Sequence, residues 1–107
     1  MHSPNTHMML RITGPVDDER QTYNALLNAC NRAGAHVVGT LRHEFFPRGF
    51  SAMVMISESH ASIHTWPEDG YALVDYFTCA ASPNCEAFEA SLVEAGYKVV
   101  HQETVIR

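Results

Sequence analysis

The sequence predicts an α+β protein: a two-layer sandwich in which two helices cover one face of a mostly antiparallel sheet. The first observation is the order of strand-like and helix-like segments along the 107 residues, β-α-β-β-β-β-α-β. The second is that short turns join the four central strands, as in antiparallel hairpins. A chain of this length is typical of one domain, so we predict a single domain over residues 1–107. Two helices leave the other sheet face uncovered, and we expect it to pair with a second copy in a homodimer.

The first half of the chain begins with a strand over residues 7–13, which Gly14 and Pro15 end. Asp17 or Asp18 can cap the following helix, because a short acidic side chain accepts hydrogen bonds from its free N–H groups. Gly34 marks the end of that helix. The buried stripe of the helix contains residues that recur at helical spacing, namely Tyr23, Leu26, Leu27, Cys30 and Ala33.

The second half continues with strands over residues 35–46 and 50–56, separated by a turn at 47–49. A short strand at 59–65 follows, then a turn at 66–70 and a strand at 71–79. Ser82 and Pro83 predict the start of a second helix that runs to residue 95 and places Cys85 in the core. A final strand covers residues 97–105.

Composition and charge exclude several classes of protein. The chain has 7 basic and 12 acidic residues, a formal net charge of −5, and therefore no basic surface for nucleic acid. Its apolar runs fall short of the ~18 residues that span a membrane, and its first residues do not resemble a signal peptide. An odd number of cysteines, 3, predicts free thiols. We expect a cytoplasmic protein with neither a nucleic-acid nor a membrane partner.

The densest group of polar residues lies at 57–68, where His60, Ser62 and His64 share one face of the predicted strand. From composition alone, a polar strand end with surface histidines is the simplest interpretation. A metal site in which His43, His60 and His64 supply three nitrogen ligands is an alternative. The HxxxH zinc motif requires a helix and a glutamate after the first histidine, whereas here Ala61 follows within a strand-like segment. No metal is therefore predicted.

The segment SESHASIHTWPEDG at 57–70, followed by DYFTC at 75–79, resembles the core motif of the prokaryotic S-adenosylmethionine decarboxylases. The preceding AGAHVVGTLRHEFFPRGFS, at 33–51, matches the family's two strands before that motif. The resemblance implies that the Ser59 hydroxyl attacks the Glu58 carbonyl and forms an ester. β-Elimination and loss of ammonia would then leave chains 1–58 and 59–107, the second beginning with a pyruvoyl cofactor. This group would form a Schiff base with the substrate amine and accept electrons as carbon dioxide leaves.

The resemblance also implies roles for five further residues. His64 would transfer protons during processing, supported by Ser51, and imidazole suits this because it titrates near neutral pH. Cys79 would protonate the decarboxylated carbon. Phe45 would stack on the adenine of S-adenosylmethionine, and Glu68 would bind its ribose hydroxyls. The product would serve as the aminopropyl donor in spermidine synthesis. The chain departs from the family pattern at Ala80, where glycine is usual, and at GPVDDER, residues 14–20.

Three alternatives remain open from sequence. A homologue could decarboxylate ornithine or arginine by the same pyruvoyl chemistry. A copy incapable of processing could instead act as a regulatory subunit, although the presence of Ser59, His64 and Cys79 argues against it. A zinc-binding module is the third. His7 carries no signal for any of these functions.

Overall fold

The structure is a computed structural model that describes residues 5–57, 59–79 and 84–107. Its elements follow the predicted order. They are β1 (Thr6–Thr13), α1 (Glu19–Arg32), β2 (Val37–Glu44), β3 (Phe50–Ile56), β4 (Ser59–Trp66), β5 (Tyr71–Thr78), α2 (Cys85–Glu94) and β6 (Lys98–Ile106). Among these described residues, no helix is long and apolar enough to cross a membrane.

The six strands form one sheet in the order β2-β3-β4-β5-β1-β6. Every neighbouring pair is antiparallel, as the short turns predicted. The first strand of the chain lies between β5 and β6, so strands from the two halves of the sequence are interleaved. The α+β class and the two helices are therefore confirmed.

The two faces of the sheet differ in what covers them. One face packs against α1 and α2, and its core includes Leu10, Ile63 and Val74 from strands and Leu26 and Phe88 from helices. Burying each large apolar side chain of this kind stabilises the fold by roughly 1.5–3 kcal/mol. We call the opposite side the open face, because no helix of the described residues lies over it. Large apolar side chains are exposed there, among them Leu41, Met53, Met55 and Leu73.

Local hydrogen bonds fix where the helices begin. The Asp18 carboxylate accepts from the backbone N–H of Gln21, so Asp18 is the N-cap of α1. The predicted start of α2 was wrong, because its N-cap is Asn84, whose side chain accepts from the N–H of Ala87. Asparagine caps helices as well as serine does. The predicted cap, Ser82, lies outside the described residues.

The strand β2 is shorter than predicted at both ends. The backbone N–H of Ala35 donates to Cys30, which keeps Ala35 in the turn that ends α1. At the other end, the N–H of Phe45 donates to the carbonyl of Gly49 across the β2–β3 hairpin. Both residues therefore belong to turns, which leaves Val37–Glu44 as the strand.

Candidate active site

Ser51 and His64 form a hydrogen-bonded pair on the open face. They lie directly opposite each other on β3 and β4, and Ser51 Oγ is 2.6 Å from His64 Nδ1. The His64 side chain is exposed, and the Trp66 ring lies 6.4 Å from the imidazole ring. This pair can pass a proton between a hydroxyl and an imidazole that is open to a ligand.

A buried threonine holds this pair in register. Thr65 Oγ1 accepts from the backbone N–H of Phe50 at 3.0 Å and donates to the Phe50 carbonyl at 3.2 Å. Phe50 and Thr65 come next to Ser51 and His64 in sequence, and both are buried. The hydroxyl therefore ties the start of β3 to the end of β4, where the pair lies.

Phe45 and Glu68 line a hollow of about 360 Å³ together with Ser51 and His64. Phe45 comes from the β2–β3 hairpin and Glu68 from the turn after β4. The two loops meet closely, because a Cβ on Gly49, which has φ +101°, would lie 3.4 Å from Pro67 Cδ. A side chain larger than hydrogen would strain this position. The four residues thus form one concave surface suited to a flat ring and a polar group.

Ser59 and Cys79 lie at the opposite end of β4. Ser59 is the first residue of that strand, is half-buried and lies opposite Thr78, the last residue of β5. Cys79 follows Thr78, is exposed and forms no disulfide. Ser59 and Cys79 are therefore neighbours at one end of the sheet. The predicted processing residue Glu58 lies outside the described residues.

The two groups of predicted residues do not meet within one chain. Ser59 and His64 are five residues apart on a single strand, which corresponds to roughly 16 Å at ~3.3 Å per residue. Strand alternation also places His64 on the open face and Ser59 on the helix-covered side. The residues that the sequence assigned to one reaction thus occupy two separate places.

The cysteines other than Cys79 belong to the core, as predicted. Cys30 is fully buried in α1, and this burial raises its pKa from 9.0 to about 12. Cys85 is half-buried against the core, and burial raises its pKa too. Neither thiol forms a thiolate readily at neutral pH.

The histidines considered as metal ligands from sequence do not form a group. Of His43, His60 and His64, only His60 lies in the metal-ligand cluster of the described residues. Its partners there are His7 and Asp75. Sequence reasoning missed both partners. The signal was an acidic residue at the centre of a strand, Asp75, whose charge needs partners from neighbouring strands.

Comparison with known proteins identifies the family of this chain. The family model described as S-adenosylmethionine decarboxylase matches residues 11–107. The S-adenosylmethionine decarboxylase proenzyme of Thermodesulfovibrio yellowstonii is 36% identical over 99 residues, which cover 89% of this chain and 73% of the relative. The proenzyme of that name from Parasynechococcus marenigrum is 47% identical over 64 residues, covering 60% of this chain and half of the relative.

The fold agrees as well. The crystal structure of the adenosylmethionine decarboxylase from Aquifex aeolicus superposes with a TM-score of 0.80, covering all of this chain and 91% of the other at 22% identity. Fold and motif together define a small α+β protein of the decarboxylase class. The chain belongs to the S-adenosylmethionine decarboxylase family. The family predicted from sequence is therefore confirmed, and its relatives' names favour none of the three alternatives.

Proposed function

We propose that this chain is a self-processing decarboxylase of S-adenosylmethionine that acts as a homodimer and derives a pyruvoyl cofactor from Ser59. The observation that carries the proposal is the position of Ser59 at the first residue of β4, next to the end of β5 where Cys79 lies. Family membership supports the same reaction, since its relatives are named as proenzymes.

The position of the 58–59 bond suits cleavage. β3 ends at Ile56 and β4 begins at Ser59, so breaking this bond interrupts no strand. The fragments would remain joined, because β3 pairs with β4 and β1 pairs with both β5 and β6. Three strand pairs therefore connect residues 1–58 with residues 59–107.

The processing chemistry needs nothing beyond the chain and water. The Ser59 hydroxyl adds to the preceding carbonyl and displaces its own amide nitrogen, which gives an ester. Elimination releases the carboxylate at residue 58 and leaves dehydroalanine at residue 59. Water then hydrolyses the imine form of dehydroalanine, which releases ammonia and leaves the ketone of the pyruvoyl group. The resulting pyruvoyl group fits here because serine has the β-oxygen that elimination requires. When present, it supplies the electron sink for decarboxylation.

Intact mass under denaturing conditions tests self-cleavage. We expect fragments 1–58 and 59–107 from the purified protein, the second carrying a carbonyl that reacts with hydrazine. Ser59→Ala should remain one chain. Ser57→Ala is the matched control, because Ser57 is an exposed serine in the same turn, and this variant should cleave. A wild-type chain that stays whole after long incubation would refute processing.

The substrate assignment rests on the hollow beside His64. Phe45 offers an aromatic face for adenine, and the Glu68 carboxylate can accept hydrogen bonds from two ribose hydroxyls. Ornithine and arginine have neither group. Carbon dioxide release from S-adenosylmethionine, ornithine and arginine should therefore favour the first, and preference for either amino acid would overturn the assignment while leaving the processing chemistry intact.

The separation of Ser59 and His64 along β4 supports a homodimer. One chain cannot bring Ser59 to His64, whereas two copies packed through their open faces can. A twofold axis that lies between the two open faces, over the middle of β4 and perpendicular to the strand direction, exchanges the ends of that strand. The Ser59 side chain lies on the helix-covered side, but Ser59 is the first residue of β4, so its main chain at the end of the strand then comes close to the end of the partner's β4, where the partner's His64 lies. The exposed Leu41, Met53 and Met55 supply apolar area for this contact.

Within such a site, each side chain has one task. Phe45 and Glu68 hold the nucleoside, the Ser51–His64 pair moves protons during processing, and the Cys79 thiol delivers a proton to the product carbon. The product would supply the aminopropyl group for spermidine synthesis. A cytoplasmic location stays a prediction, which cell fractionation tests.

A further inference from the structure

A second cluster of polar side chains lies on the open face, around Asp75 at the centre of β5. His7 Nε2 is 2.7 Å from Asp75 Oδ2, and His60 Nε2 is 3.6 Å from the same oxygen. The other carboxylate oxygen accepts a hydrogen bond from the Ser62 hydroxyl. The three side chains come from neighbouring strands β1, β5 and β4.

One aromatic ring holds both imidazoles in place. The His60 ring stacks on Phe77 at 5.5 Å and 26°, and the His7 ring meets Phe77 edge-on at 5.6 Å and 86°. Phe77 lies directly opposite both histidines in the sheet. The orientation of each ring is thus set by packing, and both Nε2 atoms point toward the same carboxylate oxygen.

We propose that His7, His60 and Asp75 bind one divalent transition-metal ion, with Zn²⁺ the best match. Imidazole nitrogen and carboxylate oxygen are preferred zinc ligands, and three protein ligands leave one position for water. The hydrogen bond from Ser62 would orient the carboxylate as an outer-shell partner. The sequence predicted no metal, because the only ligand set considered there was His43, His60 and His64, without His7 and Asp75.

The observed distances need little change to accept the ion. The three ligand atoms already lie within 4.8 Å of one another. A tetrahedral ion with bonds of about 2.0–2.1 Å separates its ligand atoms by about 3.3 Å. The contacts of 2.7 and 3.6 Å therefore need to change by well under 1 Å, and the separation of the two imidazole nitrogens, which is at most 4.8 Å, by up to about 1.5 Å. Binding replaces the proton that His7 shares with Asp75. In the single chain the side chains of His7, His60 and Asp75 are 18, 39 and 22% exposed, so water can reach the ion there.

The location gives the ion a structural consequence. His60 directly follows Ser59, and His7 lies on β1. If the chain is cleaved as proposed above, the ion would join the new start of the second fragment to a strand of the first. Metal binding itself does not depend on cleavage, because the three ligands are held by the sheet in either form.

Zinc titration of chelator-treated protein tests the site. Calorimetry measures the affinity, and elemental analysis measures the number of bound ions per chain. Wild-type protein and Ser59→Ala should each bind one Zn²⁺ per chain. His7→Ala and Asp75→Asn should weaken binding by at least about 100-fold, and Ser62→Ala by roughly 10-fold or more. His101→Ala is the matched control, since it removes an exposed histidine two strands from β5, and its zinc affinity should equal that of the wild type.

Thermal unfolding gives a second measurement. At free Zn²⁺ about 100 times the wild-type Kd, the wild-type Tm should rise by roughly 10 °C, and that of His7→Ala by no more than about 3 °C. Circular dichroism establishes that each variant is folded. Equal zinc affinity in wild type and His7→Ala, or less than one bound ion in both wild type and Ser59→Ala, would overturn the site. One ion in Ser59→Ala without any cleavage in the wild type would leave the metal site standing and refute the proposed function.

Discussion

The two ends of β4 differ in what the fold places beside them. At its start, Ser59 lies at a hairpin turn beside the end of β5. At its end, His64 bonds to Ser51 on the open face and lines a hollow with a glutamate and a phenylalanine. The first end has the serine to be cleaved and the cysteine proposed as proton donor, and the second has a proton-transfer pair beside groups suited to binding a nucleoside.

This difference shows how a short chain can build a complex site. A domain of 107 residues has limited interior volume for an enclosed cavity. Placing two halves of a site at opposite ends of one strand lets a twofold axis join them, which makes two complete sites from two copies. In the proposed homodimer, the apolar open face would be required for catalysis as well as for association.

Complementation between variants is the sharpest test of this division, with an all-or-none result. Ser59→Ala lacks the cofactor end, and the double variant Phe45→Ala/Glu68→Ala lacks the binding end. Each alone should be inactive. Their co-expressed mixture should recover about a quarter of wild-type carbon dioxide release, because half of the dimers are mixed and each has one complete site.

The matched control pairs two variants of the same end. Ser59→Ala mixed with Cys79→Ala should recover no more activity than Cys79→Ala alone, because no mixed dimer then has an intact first end. Native mass spectrometry establishes that mixed dimers form in both experiments. Mixed dimers without recovery in the first experiment would show that the site is not shared between chains.

Replacing Cys79 distinguishes the two tasks within the first end. Cys79→Ala should still cleave and should lower kcat by 10²-fold or more, within the usual range for a lost acid group. Cys85→Ala is the control, since its half-buried thiol packs against the core and should not affect turnover. Normal turnover in folded Cys79→Ala would remove the cysteine from the reaction.

Sequence reasoning recovered the element order and the motif because both depend on local patterns. Phe50–Ile56 was predicted with its observed bounds, since alternation and the flanking glycine are visible in the sequence. The start of α2 was misassigned because Ser82 and Asn84 are both good caps, and sequence gives no means of choosing between them.

The pairing of residues across strands could not be predicted in the same way. The insertion of β1 between β5 and β6 brings His7 next to Asp75, although they are separated by 68 positions in the chain. Similarly, the motif suggested one site, and only strand geometry reveals that Ser59 and His64 are roughly 16 Å apart. The order and register of the strands determine which distant residues lie next to each other, and neither can be read from a single sequence.

A change at Glu68 should affect substrate binding rather than processing. Glu68→Gln keeps the shape of the side chain but removes the charge that strengthens hydrogen bonds to ribose hydroxyls. We expect KM for S-adenosylmethionine to rise by about 10-fold or more, with cleavage unchanged. Asp69→Asn removes the neighbouring exposed charge and should leave KM as it is. An equal effect of both substitutions would assign Glu68 to general electrostatics.

The buried thiol of Cys30 should make the stability of the fold depend on pH in the alkaline range. Burial raises the pKa of Cys30 to about 12, so above pH 9 the folded protein retains a proton that the unfolded chain releases. Stability must therefore fall as pH rises from 9 toward 12, by about 1 kcal/mol at pH ~9.5. At neutral pH, Cys30→Ala should have a lower Tm than the wild type, because the substitution leaves a small cavity. Between about pH 7.5 and 9.5, however, the Tm of the variant should fall by roughly 4–8 °C less than that of the wild type. Tyr97 and Cys85, whose pKa values burial also raises, are present in both proteins. The raised pKa of Tyr76 comes mainly from burial, and Cys30→Ala removes only the smaller Coulombic contribution of Cys30. A folded Cys30→Ala variant that loses as much Tm as the wild type over this range would refute the assignment of the alkaline destabilisation to Cys30.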